Sequence, residues 1–365
     1  MKREPLFDLW ILLITLILVM IGLIMVFSTS SILAQDRYGD SYYFIKRQMF
    51  YASIGLALLV TAMNIDYRTW RKPVYLILGI SIVMLIFVLI PGIGIKVSGA
   101  RRWLNLGFAR FQPGEAAKLA LVIWLAYSLE KKGDAIKTFR IGVLPHLLIT
   151  SLFLVLLLLQ PDFGTAAMLG ILALGLLFIA GLPWGYLAGI VATAIPAIYV
   201  IIFSAPYRRE RMLAFINPWK DPGDTGFQII QSFLAFHSGK ITGLGLGDGR
   251  QKLFYLPEAH TDFIFSVIGE ELGLMGVTGV LVLFFIFAYR GMRVAIKAPD
   301  RFGTFLAVGI TSMISIQALL NIFIVLGLLP TKGLTLPFVS SGGSALMISL
   351  AATGILLNIS AQVER

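Results

Sequence analysis

The sequence predicts an all-α integral membrane protein with about ten transmembrane helices. Of the 365 residues, 58% are hydrophobic and only 13% are charged, whereas about 25% are charged in a typical soluble domain. The apolar residues also form runs of the ~20 residues that are needed to cross ~30 Å of hydrocarbon. Because the chain contains no cysteine, a disulfide framework, a zinc-thiolate site and a thiol nucleophile are excluded.

Ten apolar segments follow one another along the chain. Their approximate bounds are residues 8–33, 45–64, 73–92, 112–130, 141–159, 162–181, 184–205, 262–289, 303–329 and 339–361. No internal repeat and no separate soluble domain interrupts this series. We therefore expect a single polytopic membrane domain over residues 1–365.

The distribution of cations predicts how the segments are oriented. Ten spans place both termini on the same side of the membrane. The short loops on that side carry more Lys and Arg than the short loops opposite, which predicts cytoplasmic termini. The long segment between spans seven and eight, residues 206–261, is then a large extracytoplasmic loop. The net charge of +11 and the basic character of this loop suit an anionic ligand such as a pyrophosphate, or equally the anionic headgroups of lipids.

Within this loop, residues 226–240 have an amphipathic pattern. The pattern predicts a helix that lies in the membrane interface, where a lipid-linked substrate would enter. A packing element that caps the helical bundle explains the same pattern.

Asp262 is the strongest candidate for a catalytic group. It stands where the long loop enters the eighth span, and a carboxylate at such a boundary can have a pKa suited to a general base. The alternative is that Asp262 caps the helix. Glu258 and His260 are neighbouring candidates. Further along this span lie Glu270 and Glu271. Glu270 is too deep for a carboxylate exposed to lipid, so we expect a polar partner for it within the bundle.

Three further acidic and basic residues lie near the predicted outer ends of spans. Glu115 and Lys118 are three residues apart on span four, a spacing that allows an ion pair on one helix face. This pair either neutralises two charges within lipid or contributes to catalysis. Asp162 lies in a tight turn between spans five and six, where it can cap span six.

Arg101 and Arg102 precede an interfacial tryptophan, where they can grip phosphates or anchor the chain at the membrane surface. Two segments flank the start of the last span: Pro-Thr-Lys-Gly, which contains Lys332, and a serine- and glycine-rich segment with Ser340, Gly342 and Gly343. Freed amides at such a glycine pair can bind an anion, and small residues also allow close helix packing.

One glycine-rich segment argues against a nucleotide substrate. Residues 243–249 lack the Lys-Ser/Thr of a P-loop and follow no predicted strand, so they are weak evidence for nucleotide binding. A nucleotide sugar is therefore not the expected donor, and no nucleic-acid partner is expected.

Six of these segments, in this order, resemble the SEDS family (shape, elongation, division and sporulation) across nearly the whole chain. They are Gly99-Ala-Arg-Arg-Trp103, Gln112-Pro-Gly-Glu-Ala-Ala-Lys118, Gln160-Pro-Asp-Phe-Gly-Thr165, Asn217-Pro-Trp-Lys-Asp-Pro222, Tyr255-Leu-Pro-Glu-Ala-His-Thr-Asp-Phe-Ile-Phe265 and Pro330-Thr-Lys-Gly-Leu-Thr-Leu-Pro337. Two of them look like the division member of the family rather than the elongation member. A further segment, Ser340-Ser-Gly-Gly-Ser-Ala345, departs from the family pattern, because Ser341 stands where the family usually has an aromatic residue before the glycine pair.

The resemblance implies a peptidoglycan glycosyltransferase that polymerises lipid II during cell division. The essential aspartate of the family falls on Asp262, and Glu115, Lys118, Asp162 and Lys332 fall on functionally sensitive positions. Asp262 would accept a proton from the 4-hydroxyl of lipid II as this hydroxyl attacks a glycan linked to undecaprenyl pyrophosphate. Arg101, Arg102, Lys118, Lys332 or a divalent cation (Mg or Mn) would stabilise the departing pyrophosphate.

The family also implies a location and partners. We expect a protein of the bacterial cytoplasmic membrane whose active site faces outward. A class B penicillin-binding protein would crosslink the product, since no transpeptidase domain is present, and other divisome proteins would regulate it. A RodA-like polymerase for elongation, a lipid II flippase and a scaffold of the division machinery are the alternative functions.

Overall fold

The computed structural model describes residues 7–97, 99–105, 107, 110–204, 206–223, 226–252, 256–257 and 259–363. Twelve α-helices account for most of this part of the chain: α1 (Leu9–Tyr38), α2 (Tyr43–Asn64), α3 (Val74–Leu89), α4 (Pro113–Lys132), α5 (Leu144–Leu159), α6 (Phe163–Ile179), α7 (Trp184–Phe203), α8 (Pro206–Ile216), α9 (Phe227–Gly239), α10 (Ile264–Lys297), α11 (Arg301–Val325) and α12 (Gly343–Ala361). Short 3-10 turns cover Tyr67–Arg71, Gly133–Lys137 and Pro218–Lys220, and a π-helical turn covers Phe139–Val143.

A helix overlaps each of the ten apolar segments that the sequence predicts. Six helical segments of the described chain are long and apolar enough to cross a membrane: Leu9–Tyr38, Phe139–Leu159, Trp184–Phe203, Ile264–Lys297, Arg301–Val325 and Gly343–Ala361. Two more, α3 and α6, are equally apolar but shorter. The remaining two, α2 and α4, carry charged residues near their ends, which lowers their mean hydropathy. The protein is therefore mostly helical, with at least six helices suited to lipid.

Close approaches between helices depend on small residues. A Cβ at Gly354 of α12 would overlap the carbonyl oxygen of Leu59 of α2, and a Cβ at Gly343 would overlap the ring of Tyr51. Such contacts allow backbones to pack tightly where there is no hydrophobic drive between helices in lipid. Around them, the buried apolar side chains of the long helices form one continuous core.

A small antiparallel sheet, which the sequence does not predict, interrupts the helical architecture between α3 and α4. Its strands are β1 (Gly94–Val97), β2 (Ala100–Asn105) and β3 (Arg110–Phe111), in the order β1-β2-β3. Lys96 pairs with Arg101 across the first two strands, next to a bulge. The expectation of a purely α-helical protein is therefore wrong for this segment.

The segment between α7 and α10 is largely structured and folds back onto the bundle. In α9, Ile229, Ile230 and Ala235 are buried, and the Ser232 hydroxyl lies 2.8 Å from that of Ser266 in α10. Of the two explanations for the amphipathic pattern of residues 226–240, packing against the bundle is the one that the contacts of α9 support.

Helix α10 is broken at Gly273, which has the left-handed φ of 63°. The following turn cannot bond normally to the preceding one, and the chain around residue 243 supplies the missing partners. The amides of Leu244 and Gly245 donate to the carbonyls of Glu270 and Glu271, and the amide of Leu274 donates to the carbonyl of Lys240. A break within an apolar helix is tolerated when the freed backbone groups are bonded in this way.

Candidate functional site

Several parts of the chain surround a cavity of about 650 Å³. They are the small sheet, the residue before α4, the turn before α6, α8, the start of α9, the segment before α10 and the segment from the end of α11 to the start of α12. The residues that line it include Arg102, Trp103, Gln112, Asp162, Phe163, Arg211, Gln228, Thr261, Asp262, Lys332, Gly333, Thr335 and Gly342. The fold therefore brings together Arg102, Asp162, Asp262 and Lys332, which are far apart in the sequence.

Asp262 lies two residues before the start of α10 and faces the segment that carries Lys332. A Cβ at Gly333 would lie 3.1 Å from Asp262 Oδ2 and 3.7 Å from Arg102 Nη1. Only glycine leaves this space open between the carboxylate and the guanidinium. The N-cap position of α10 is Phe263, so the structure does not place Asp262 in the capping position that was the alternative.

A side chain of α11 holds the main chain of Asp262. The side-chain nitrogen of Asn321 donates to the carbonyl of Asp262 at 2.8 Å and to that of Leu334 at 2.6 Å. One buried amide thus ties the carboxylate-bearing segment to the segment that carries Lys332. The side-chain oxygen of Asn321 is buried and has no hydrogen-bond partner among the described residues.

Arg102 braces the turn before α6. Its Nε donates to the carbonyl of Gln160 at 3.2 Å, a second guanidinium nitrogen donates to the carbonyl of Pro161, and Nη1 lies 4.0 Å from Asp162. Arg101 does not line the cavity. Neighbouring residues of a strand point to opposite faces, so the strand separates two arginines that the sequence treats as a pair.

Asp162 caps α6, as predicted, and also lines the cavity. Its Oδ1 accepts from the amide of Thr165 at 3.3 Å, and its Oδ2 accepts from the Thr165 hydroxyl at 2.9 Å. Both oxygens of this buried carboxylate are therefore in use within the first turn of the helix.

Lys332 lies over the ring of Phe163, with its Nζ 4.6 Å from the ring centroid. Burial is the largest of the effects that lower the pKa of Lys332 to about 8, and the positive charges of Arg211, Arg208 and Arg102 contribute to the same shift against the opposing effect of Asp162. An ammonium group in these surroundings is destabilised until an anion joins it.

Glu115 and Lys118 form the predicted ion pair, with 2.7 Å between Glu115 Oε2 and Lys118 Nζ. Both side chains are buried and neither lines the cavity. Lys118 Nζ also donates to Gln317 at 2.5 Å, and Gln317 donates in turn to the carbonyl of Thr335 at 2.9 Å. The pair therefore orients an amide that supports the cavity wall.

The residues before α12 mainly hold the segment that precedes α10. The Ser340 hydroxyl donates to the carbonyl of Thr261 at 2.6 Å. The His260 ring packs against Phe44, with 4.7 Å between ring centroids. Gly342 lines the cavity, whereas Gly343 packs against Tyr51, so close packing explains the second glycine. Glu258 lies outside the described residues.

The deep carboxylates of α10 have polar partners, but those of Glu270 do not come from the bundle as expected. Glu271 accepts from Lys252 Nζ at 2.7 Å and from the Ser28 hydroxyl, and Glu270 accepts from the amide of Arg250 at 2.8 Å. Most of these partners belong to the segment between α7 and α10 rather than to the long helices. This cluster is separate from the residues that line the cavity.

Sequence reasoning missed Gln317, Asn321, Gln228 and Arg211 as individual residues of this region. Gln317 and Asn321 are four residues apart in an apolar helix, a signal that polar residues in a span are usually functional. Arg211 belongs to the long basic segment, in which the sequence does not distinguish one cation from another.

The sequence model of the FtsW/RodA/SpoVE family, described as a cell cycle protein, matches residues 9–365. A probable peptidoglycan glycosyltransferase FtsW of Geobacter sulfurreducens is 50% identical over 100% of this chain and 97% of its own length. The stage V sporulation protein E of Bacillus subtilis is 44% identical over 98% of each chain.

Two solved structures share the fold. A chain from a peptidoglycan synthase complex, described as coordinating polymerization and crosslinking, superimposes with a TM-score of 0.80 at 30% identity over 97% of both chains. The rod shape determining protein RodA of Thermus thermophilus superimposes with a TM-score of 0.72 at 26% identity over 98% of both chains.

Proposed function

This chain belongs to the FtsW/RodA/SpoVE family of cell cycle proteins, and from that premise we propose that it is a peptidoglycan glycosyltransferase of cell division. The 50% identity to a probable FtsW over the full chain supports the activity and the division role. The observation that carries the proposal is the cavity in which Asp262 faces the cations Arg102 and Lys332. A base beside a cationic pocket suits the transfer of a sugar from a pyrophosphate.

The substrate is lipid II, and the donor is a glycan on undecaprenyl pyrophosphate. The acceptor 4-hydroxyl attacks the anomeric carbon of the donor. A C–O bond forms, the bond from this carbon to the pyrophosphate breaks, and Asp262 takes the hydroxyl proton. General-base catalysis of this kind contributes ~10²–10⁴-fold to the rate. The pyrophosphate leaves on its own lipid, so no nucleotide is consumed.

The charge of the leaving group is offset by cations of the cavity. Lys332 lines the cavity, and Arg102 Nη1 would lie 3.7 Å from a Cβ at Gly333, next to Asp262. Lys118 acts indirectly through Gln317 rather than by contact. Donors that are fixed before charge develops stabilise the transition state without reorganisation.

A divalent cation would bind together with the substrate. The described residues contain no group of three or more His, Cys, Asp or Glu side chains that could hold a metal ion. Mg²⁺ is commonly bound by one or two carboxylates together with substrate phosphates. Asp262 is the carboxylate that fits this role, because Asp162 is committed to Thr165. Such an ion would supply charge neutralisation of the pyrophosphate.

The orientation in the membrane follows from the same proposal. The chain is one polytopic domain that crosses the bacterial cytoplasmic membrane ten times, with both termini in the cytoplasm and the cavity facing outward. The positive-inside distribution of the short loops supports this orientation. The similarity to a chain of a polymerization and crosslinking complex supports a class B penicillin-binding protein as the partner, with other divisome proteins as regulators.

The test is polymerisation of labelled lipid II by the purified chain, alone and with its cognate transpeptidase. We expect glycan polymer that disappears in Asp262→Ala and in Asp262→Asn, while both variants keep the native melting temperature. Normal polymerisation by Asp262→Asn would show that Asp262 is not the base. Transport of lipid II across liposomes without any polymer would favour the flippase function instead.

A further inference from the structure

Arg211 brings a cation to the cavity from a helix, whereas Arg102 lies on strand β2 and Lys332 lies in the segment between α11 and α12. Arg211 lies on α8 and lines the cavity. Among the described residues, its one hydrogen bond is a 3.5 Å contact from Nη1 to the carbonyl of Thr331. That distance is at the long limit for a hydrogen bond. Most of the five guanidinium donors therefore have no partner within the described part of the chain.

The other two cations of the cavity differ from Arg211 in how they are held. Arg102 donates to two carbonyls of the turn before α6 and lies 4.0 Å from Asp162, so its guanidinium is fixed by the protein itself. Lys332 is largely buried and lies against an aromatic ring. Neither Lys332 nor Arg211 has a carboxylate within 4.0 Å among the described residues.

The charges of Lys332 and Arg211 act on each other. After burial, Arg211 is the largest cause of the lowered pKa of Lys332, ahead of Arg208 and Arg102. Both side chains line the same cavity, and two like charges that act on each other in this way repel. An anion that enters this space removes the repulsion, and a phosphate can in addition accept two parallel hydrogen bonds from a guanidinium.

We propose that Arg211 is a substrate-binding residue that closes, together with Lys332, on the pyrophosphate of the lipid-linked substrate. This assignment rests on the proposed glycosyltransferase function and adds to it a residue that the family segments do not include. Arg211, on α8, donates two hydrogen bonds to the phosphate. Lys332, in the segment between α11 and α12, contributes a single positive charge.

The test compares three variants. Arg211→Gln removes the charge, Arg211→Lys keeps the charge but loses the planar fork, and Arg209→Gln is the matched control, because Arg209 lies on the same helix, is exposed and does not line the cavity. We expect Arg211→Gln to lower kcat/KM for lipid II by about tenfold or more, Arg211→Lys to recover part of this loss, and Arg209→Gln to remain within about twofold of native.

A binding measurement separates this inference from the proposed function. Inorganic pyrophosphate should raise the melting temperature of the native protein and of Arg209→Gln, because a ligand that binds only the native state stabilises it. The shift should be lost in Arg211→Gln. Equal pyrophosphate shifts and equal polymerisation in Arg211→Gln and Arg209→Gln would overturn the assignment.

If the native chain made no polymer at all, the proposed function would fail, and the pyrophosphate shift alone would decide the role of Arg211. Loss of the shift in Arg211→Gln would uphold an Arg211-dependent anion site in a protein of another activity. A shift of native size in that variant would overturn the assignment in this case as well.

Discussion

The two ends of the helical bundle both concentrate charge, but they arrange it differently. At the end where α2 leads into α3, Arg68 donates to Asp300 at 2.9 Å, and Arg71 lies 2.9 Å from Glu130 and 3.2 Å from Asp300. At the cavity end, Lys332 has the ring of Phe163 beside it and three arginine charges around it.

The difference separates a stabilising cluster from a binding site. Paired charges with additional hydrogen bonds fix the positions of the helices that carry them. A pocket that holds more cations than carboxylates to pair with them destabilises the empty protein. A bound anion compensates these charges and makes the arrangement favourable. We therefore expect changes at the cavity end to affect activity and changes at the opposite end to affect stability.

The largest effect is expected at Lys332. Lys332→Met keeps a side chain of similar length, so the protein should fold, but it removes a fixed donor for the departing pyrophosphate. Loss of one such donor typically costs ~10²–10³-fold in rate, and we expect about a hundredfold loss of kcat/KM in lipid II polymerisation. A rate within a few fold of native would place Lys332 outside the catalytic machinery and would remove the contrast between the two ends.

The pH dependence sharpens this prediction. Because the pKa of Lys332 is about 8, the ammonium form predominates below that pH and is lost as the pH rises through it. The value of kcat/KM, which reports groups of the free enzyme, should fall about tenfold per pH unit above pH 8. Lys332→Arg remains charged in this range, so its profile should stay flat. A native profile that is flat to pH 10 would contradict the assignment.

A smaller effect on activity is expected at Asn321, which joins the Asp262 segment to the Lys332 segment. Asn321→Leu has a similar volume but leaves two carbonyls unpaired, so the two segments should shift relative to each other. Because small misplacements of reacting groups are costly, we expect about a tenfold loss of kcat with KM nearly unchanged. The matched control is Asn64→Leu, since Asn64 is exposed and bonds only within its own helix. A rise of KM at constant kcat would show that Asn321 affects binding instead.

The smallest effect on activity is expected at Asp300. Asp300→Asn weakens charged hydrogen bonds from Arg68 and Tyr67 and should lower the free energy of unfolding by about 1–3 kcal/mol. Polymerisation per folded molecule should remain within about twofold of native. Thermal unfolding in detergent, with Asp134→Asn at a fully exposed carboxylate as control, measures the first effect. A large loss of activity at native stability would break the division of roles between the two ends.

Acid should remove the same stabilisation. Burial raises the pKa of Asp300, but hydrogen bonds from the Gly303 amide, Arg68 and Tyr67 outweigh it and hold this pKa below its usual value. A carboxylate with a depressed pKa in the folded state stabilises it at pH values above its unfolded pKa of about 4. That stabilisation is lost as the pH falls further, and Asp300→Asn should lack this part of the acid dependence.

The helices of the ten apolar segments could be predicted from the sequence because a long apolar run is a local property, and α9 could be predicted from its amphipathic pattern. The charged helix α8 was not predicted. The small sheet could not be predicted, because its strands are short and their hydrogen bonds depend on pairing across the turn after Val97. That pairing decides which arginine reaches the cavity. The sequence alone therefore identified Arg101 and Arg102 together, and the structure places only Arg102 in the cavity lining.

The site was partly predictable for a related reason. Asp262, Asp162 and Lys332 stand at junctions between spans, where any polar residue attracts attention, and the fold brings them together. Gln317 and Asn321 act from the interior of a span through bonds to carbonyls of another segment. Arg211 enters the cavity because of where α8 lies, and that position depends on tertiary contacts rather than on any local pattern.

The break at Gly273 has a consequence for exchanging parts between related proteins. The chain around residue 243 donates to the carbonyls before the break and accepts from the amides after it, so it supplies the hydrogen-bond partners that α10 lacks on each side. A chimaera that replaces the segment between α7 and α10 at its sequence borders would join a foreign loop to a helix shaped for another one. Residues 240–252 and 264–276 must therefore be exchanged together. The border of an exchanged segment between α7 and α10 should lie within α10, beyond the break at Gly273.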